Sequence, residues 1–445
     1  MKQWFKAGVF LLFATTSLFS QEKLTLEQAL AIALKNNYDI QIARNGEANA
    51  DEDLVQARSM FMPKASVSLK SATYEYKIDE KDFSTGLPTG SRVSKTASPF
   101  EGSFGVNLNL QDVYGAVLGY MESLETTDRV KESTKERIQQ LLFTVTQKYY
   151  GLIEQKNLLE VRKRSVETNQ KQVERAQSKF EIGSIAKKDV YTAKVQLNNA
   201  KVNLLNQKLN VRTAENDLNI LLGRNAFDSI DIYDNVKIEN KYTSYDEIKN
   251  QLVANNPTLK VEEFKIKEAD LAYDRMWSNM YLPKLNLTAG YNKSAEGQTN
   301  FGNVFDKVSD TKDYYTLSAS IGVTYTLFNG FSDQASLEKA EIAKHNAELS
   351  RAKVIQETHA SLYQAFITYE NRLEMLKLQE ENLVASQEEF RLAQERFNIG
   401  SGTSLELKEA QDGVVRAESD LVSAKFQAKI AEVDIDRLLG LIKIN

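Results

Sequence analysis

The chain has 445 residues, 26% of them charged, and a formal net charge of −5; it is long enough for two or three ordinary domains and has no electrostatic support for binding nucleic acid. It contains no cysteine, which excludes disulfides, thiolate metal sites, cysteine nucleophiles and a lipid anchor on an N-terminal cysteine. Its two histidines, His345 and His359, fall on what reads as one helix, about 21 Å apart along its axis. That is too far for one metal ion, and no cofactor is expected.

Residues 1–20 read as a secretory signal peptide. Lys2 and Lys6 give a positive start, Ala7 to Ala14 is apolar, and the segment closes on small Ser20. Cleavage there would remove two lysines and take the net charge from −5 to −7. No later stretch reaches the length of apolar residues that a spanning helix needs. A membrane passage would therefore have to be made of β-strands.

The mature chain then runs through one order of elements twice. A helix is expected over 24–60, ended by Pro63, because proline cannot continue a helix and restricts the residue before it. Two strands separated by a polar loop follow, with Phe104, Val106, Leu108 and Leu110 alternating against Gly105, Asn107, Asn109 and Gln111. Next come a very long helix carrying Ile138, Leu141, Leu142, Val145, Tyr149 and Leu152, a short turn with glycine, and a further helix of about 35 residues.

The second half repeats this layout from 245. Its first helix is expected over 245–280, before Pro283. The strand after that proline alternates Leu285, Leu287, Ala289 and Tyr291 with Asn286, Thr288, Gly290 and Asn292. The next places Tyr315, Leu317, Ala319, Ile321, Val323, Tyr325 and Leu327 on one face and small hydroxyl residues on the other. From Phe331 to Phe397 there is neither glycine nor proline, enough for a helix of about 100 Å. The three-four spacing of Leu362, Ala365, Phe366, Tyr369, Leu373 and Leu376 suits coiled-coil packing, with one long helix against two stacked shorter ones. A soluble helical bundle would give the same helical pattern, and a half-buried soluble sheet the same alternation.

Three motifs recur at one offset of 217 residues: Phe180-Glu-Ile-Gly183-Ser184 with Phe397-Asn-Ile-Gly400-Ser401, Leu221-Leu222-Gly223 with Leu438-Leu439-Gly440, and Ser103-Phe-Gly105-Val106 with Ser320-Ile-Gly322-Val323. The mature chain is therefore read as a first repeat over 21–223, a linker over 224–244 and a second repeat over 245–445. Each repeat supplies two strands. Four strands cannot close a barrel, which needs at least about eight, so several chains would have to share one.

With these residues in place, the layout resembles the TolC-like outer-membrane efflux family over essentially the whole mature chain. The closest local match is Tyr325-Thr-Leu327-Phe328-Asn329-Gly330-Phe331, which resembles that family's strand-to-helix junction; Leu110-Gln-Asp112-Val-Tyr114-Gly115 is a weaker copy. The two Phe-x-Ile-Gly-Ser turns resemble the family's periplasmic hairpin tips. The resemblance implies a homotrimer whose twelve strands form a barrel in the lipid of a Gram-negative outer membrane, continued by an α-helical tunnel into the periplasm. It implies a channel of a tripartite efflux or type I secretion system rather than an enzyme, with a periplasmic adaptor and an inner-membrane pump as partners. Gly183, Ser184, Gly400 and Ser401 would be adaptor-docking positions. Glu406, Glu409 and Asp189 would form the pore constriction, where threefold symmetry turns single carboxylates into rings that select by charge. Phe397 and Gly402 stand where some relatives place a tyrosine and an arginine in a closing latch. The other class open to this sequence is a secreted or periplasmic helical structural or adaptor protein.

Overall fold

The computed structural model describes residues 23–71, 74–81, 84–86, 88–97, 100–110, 113–233, 236–238, 240–300 and 310–442. The signal-peptide segment 1–20 and Gln111-Asp112 of the weaker junction motif lie outside the described residues. The elements run α1 (Leu26–Asn36), α2 (Tyr38–Arg58), β1 (Lys64–Ser71), β2 (Tyr74–Lys81), β3 (Pro88–Ala97), β4 (Phe100–Leu110), α3 (Val113–Glu181), α4 (Lys187–Leu221), α5 (Tyr245–Asn255), α6 (Pro257–Tyr281), β5 (Lys284–Asn300), β6 (Asp310–Thr324), α7 (Ser332–Asn398) and α8 (Ser404–Leu438). No described helix is long and apolar enough to cross a membrane.

The expected helices over 24–60 and 245–280 are each broken in two. Asn37 is extended and lies between α1 and α2, and Asn256 is extended between α5 and α6. Pro257, the first residue of α6, pushes the residue before it out of the helical region. At Asn37 the break is capped: its Oδ1 accepts from the backbone N–H of Asp39 (2.9 Å) and Ile40 (3.3 Å), as an N-cap asparagine does for α2.

The chain forms two compact units, each assembled from both halves of the sequence. The first comprises the described residues of 23–42, 137–256 and 358–442. It holds the two described apolar clusters. One gathers Leu30, Ile40, Val145, Leu152, Leu218 and Phe426, and the other Leu252, Leu362, Tyr369, Ile435 and Leu439. Burying each such side chain contributes about 1.5–3 kcal/mol. Here α3 runs beside α4 and α8, tied by Lys148–Asp217 (2.8 Å) and Arg164–Glu418 (3.0 Å). The segment 224–244, expected as a linker, is pinned to this core. Leu24 N donates to Asp231 O (2.8 Å), Tyr233 N donates to Leu24 O (3.1 Å), and Ile230 and Ile232 are buried.

The second unit comprises residues 43–136 and 257–357. Its helices pack antiparallel through charged pairs, Arg129–Glu268 (2.7 Å) between α3 and α6 and Lys344–Asp270 (2.8 Å) between α6 and α7. Its sheet is antiparallel throughout. β1 pairs β4, β4 pairs β5 and β5 pairs β6, while β2 and β3 pair with each other and β3 also meets the end of β5. β6 stops at Thr324 rather than Leu327, because its partner β5 begins at Lys284, directly after Pro283. The chain then turns into α7 through Gly330 (φ 69°) and Phe331 (φ 66°), the only non-glycine residue with positive φ among those described.

Candidate functional site

Two features carry chemistry: the faces of the sheet and the tips of the two long helical hairpins.

Directly opposed residues of a sheet share a face. The register therefore lines up Leu108–Leu287–Ile321, Val106–Ala289–Ala319 and Phe104–Tyr291–Leu317 on one side. The other side carries Asn107–Thr288–Ser320, Gly105–Gly290–Ser318 and Ser103–Asn292–Thr316. Thr288 and Ser320 are hydrogen-bonded through their hydroxyls at 2.6 Å. The apolar side is uncovered: Leu317 is 85% exposed, Ile321 75% and Val67 72%. Large aliphatic side chains are rarely left in water in a contiguous patch. The opposite face is small and polar across β4, β5 and β6 in these rows, with Lys64 of β1 opposite Asn107.

At the first tip α3 ends in a Schellman motif. Ser184 N donates to Lys179 O (2.8 Å) and Gly183 N to Phe180 O (2.9 Å). At the second, Ser401 N donates to Arg396 O (2.9 Å) and Gly400 N to Phe397 O (3.3 Å). Both motifs need a left-handed residue, and Gly183 (φ 75°) and Gly400 (φ 79°) supply it. A Cβ at either would meet nothing within 4 Å, so conformation rather than space calls for glycine there. Ile182 and Ile399 beside them are each 80% exposed.

The three carboxylates expected at a constriction sit in different surroundings. Asp189 and Glu406 are equivalent positions of the repeat, and each is the third residue of its helix. Glu406 closes a capping box with Thr403: Thr403 Oγ1 accepts from Glu406 N (3.2 Å), and Thr403 N donates to Glu406 Oε2 (3.5 Å). Arg396 lies 3.7 Å from the same oxygen. At the first tip Ala186 replaces the threonine, and Asp189 Oδ2 alone receives the cap N–H of Ala186 (3.3 Å). Glu409 is exposed and has no charged partner among the described residues. Glu406 and Glu409 lie off the packed side of α8, which buries Leu407 and Ala410. Asp189 does not join them within the chain. It lines a cleft of about 220 Å³ between the two hairpin tips, together with Phe397, Arg175 and Lys179. The sequence signal of this cleft, not among the expected site residues, is a pair of cations at 175 and 179 with no acid one turn away to pair them.

A model of the family described as outer membrane efflux protein matches residues 29–224 and 248–441. A probable efflux pump outer membrane protein of Pseudomonas putida, TtgC, is 21% identical over 419 residues, 93% of this chain and 82% of its own. A membrane protein from Pseudomonas aeruginosa superposes with a TM-score of 0.74 at 18% identity, over 94% of this chain and 91% of its own. The Campylobacter jejuni CmeC outer membrane channel gives 0.74 at 15% identity, over 93% of this chain and 85% of its own.

Proposed function

The chain belongs to the outer membrane efflux protein family, and on that premise we propose that three copies join their strands into one twelve-stranded barrel whose bore opens to the cell exterior. The protein is an outer-membrane channel of a tripartite efflux system, with its helical part in the periplasm. The observation that carries the barrel is the sheet: an apolar face through the rows from Leu108 to Phe104, a face opposite that is small and uncharged across β4, β5 and β6 from Asn107 to Ser103, and free edges along β1 and β2 on one side and β6 on the other. Lipid outside and water inside demand this division. Free edges are removed when a sheet closes on itself, and joining β6 of one copy to β1 of the next does that in a threefold ring.

In this reading the two tandem repeats, 21–223 and 245–445, give each copy its four barrel strands, because β3 and β4 lie end to end along β5 and pair β2 and β1 in turn, so that the six described strands make four staves; the long helices form the tunnel. The turns at Gly183-Ser184 and Gly400-Ser401, with Ile182 and Ile399 exposed beside them, meet a periplasmic adaptor that connects to an inner-membrane pump. Glu406 and Glu409 face the bore below the second tip and make acidic rings, with Asp189 set back in the neighbouring cleft. Purified protein in planar bilayers tests the channel reading: discrete conductance steps are expected, and the absence of steps from protein recovered with folded strands would overturn it.

A further inference from the structure

We propose that the cleft between the two hairpin tips is a binding site for a small aromatic or amphipathic carboxylate. The repeat supplies an internal control. At the second tip the equivalents of Lys179 and Asp189 are Arg396 and Glu406, which lie 3.7 Å apart as an ion pair. At the first tip no such pair forms. Asp189 turns to the cap N–H of Ala186, and Lys179 instead points across to the second hairpin, its Nζ 4.5 Å from the centre of the Phe397 ring. Arg175, one turn before Lys179, has no carboxylate within ion-pair distance among the described residues. The cleft thus holds two cations without a carboxylate partner among the described residues, Arg175 and Lys179, the latter resting on the Phe397 ring, beside one acid that accepts from a backbone donor.

Its walls add the second half of the recognition. Phe397 offers a ring face, and Ile185 and Leu407 offer apolar surface. A volume of about 220 Å³ suits an acid of one or two rings. A planar carboxylate accepts two parallel N–H bonds from a guanidinium, while its ring packs against the Phe397 ring beside the Lys179 ammonium, which supplies a second charge. A neutral or cationic analogue of the same shape would lose the charge complement and, if cationic, be repelled. Such a ligand would touch both hairpins of one chain at once. The inference stands on the cleft alone and does not depend on the export reading.

Saturation-transfer NMR and isothermal titration on the full-length protein in detergent test it, with 2-naphthoate as probe and 2-naphthamide as the neutral match. Saturable naphthoate binding is expected, at least tenfold tighter than the amide. The R175Q/K179Q variant should lose at least tenfold, and F397A should weaken both probes. The control R391Q, whose charge is already taken by Glu388 and Glu395, should bind as the parent does. Thermal unfolding checks that each variant is folded. Absence of saturable binding, equal binding of acid and amide, or naphthoate binding unchanged in a folded R175Q/K179Q variant would each overturn the proposal.

Discussion

The side-chain amide of Asn256 donates to the carbonyl oxygen of Leu438 at 2.8 Å, and its counterpart Asn37 donates to the carbonyl oxygen of Leu221 at 3.1 Å. Each asparagine stands where a helix is interrupted, and each satisfies a carbonyl in the last turn of a hairpin's closing helix, one of the groups a helix end leaves without a partner. Both asparagines are nearly fully buried. Replacing Asn256 with alanine strands the Leu438 carbonyl and should cost about 1–3 kcal/mol. Asn37→Ala should add to the stranded Leu221 carbonyl the loss of the cap of α2, worth about 0.5–2 kcal/mol. Denaturant unfolding of both variants in detergent measures this. Stabilities equal to the parent would show that water replaces the amides without penalty.

The sheet faces make opposite predictions for adjacent residues. Leu317 lies on the exposed apolar face and Ser318 on the polar one. Leu317→Arg should cost about 2–4 kcal/mol of folding into bilayers if that face meets lipid near mid-membrane, whereas Ser318→Arg should cost far less. Recovery in the outer-membrane fraction and urea titration of refolded protein read both. Equal losses would mean that the faces are assigned the wrong way round or that neither meets lipid.

Gly400 and Gly183 test the turns. An alanine fits each space but not the left-handed conformation, so each substitution should cost about 1–2 kcal/mol locally. Hydrogen exchange should quicken in the last turn of α7 in Gly400→Ala and of α3 in Gly183→Ala, with the rest of the chain unchanged. Unaltered exchange at the tips would show that the Schellman geometry is not what the glycines secure.

The acidic rings require a variant that removes charge without removing a cap. Glu406 belongs to the capping box of α8, and glutamine serves that box as glutamate does. The E406Q/E409Q double variant should therefore keep its assembly while losing cation selectivity and block by multivalent cations in single-channel recording. Selectivity and block identical to the parent would remove both residues from the bore.

Much of this was legible in the chain because strict periodicities leave few alternatives. The stretch from Phe331 to Phe397 without glycine or proline became one helix, Ser332–Asn398, and the alternation around Leu317 became β6. The helix break at Asn37 is not legible locally, because its extended residue is held by a distant partner, the carbonyl of Leu221, whereas the break at Asn256 has a local signal in Pro257, which follows it. The strap over 224–244 read as a linker because its anchors, Ile230 and Ile232 with the bonds to Leu24, are long-range. The tip cleft depends on Lys179 choosing Phe397 over Asp189, a choice between partners that are more than 200 residues apart and ten residues apart in sequence respectively. Family membership decided what periodicity left open between a channel and a periplasmic adaptor.

The closure of the barrel rests on the number of copies, and native mass spectrometry of the detergent-extracted protein measures that number directly. Strands that cannot close alone, with free edges at β1 and β6, predict one species of three chains that survives removal of detergent in the gas phase and dissociates on Leu317→Arg. A monomer that stays soluble without detergent would contradict the account.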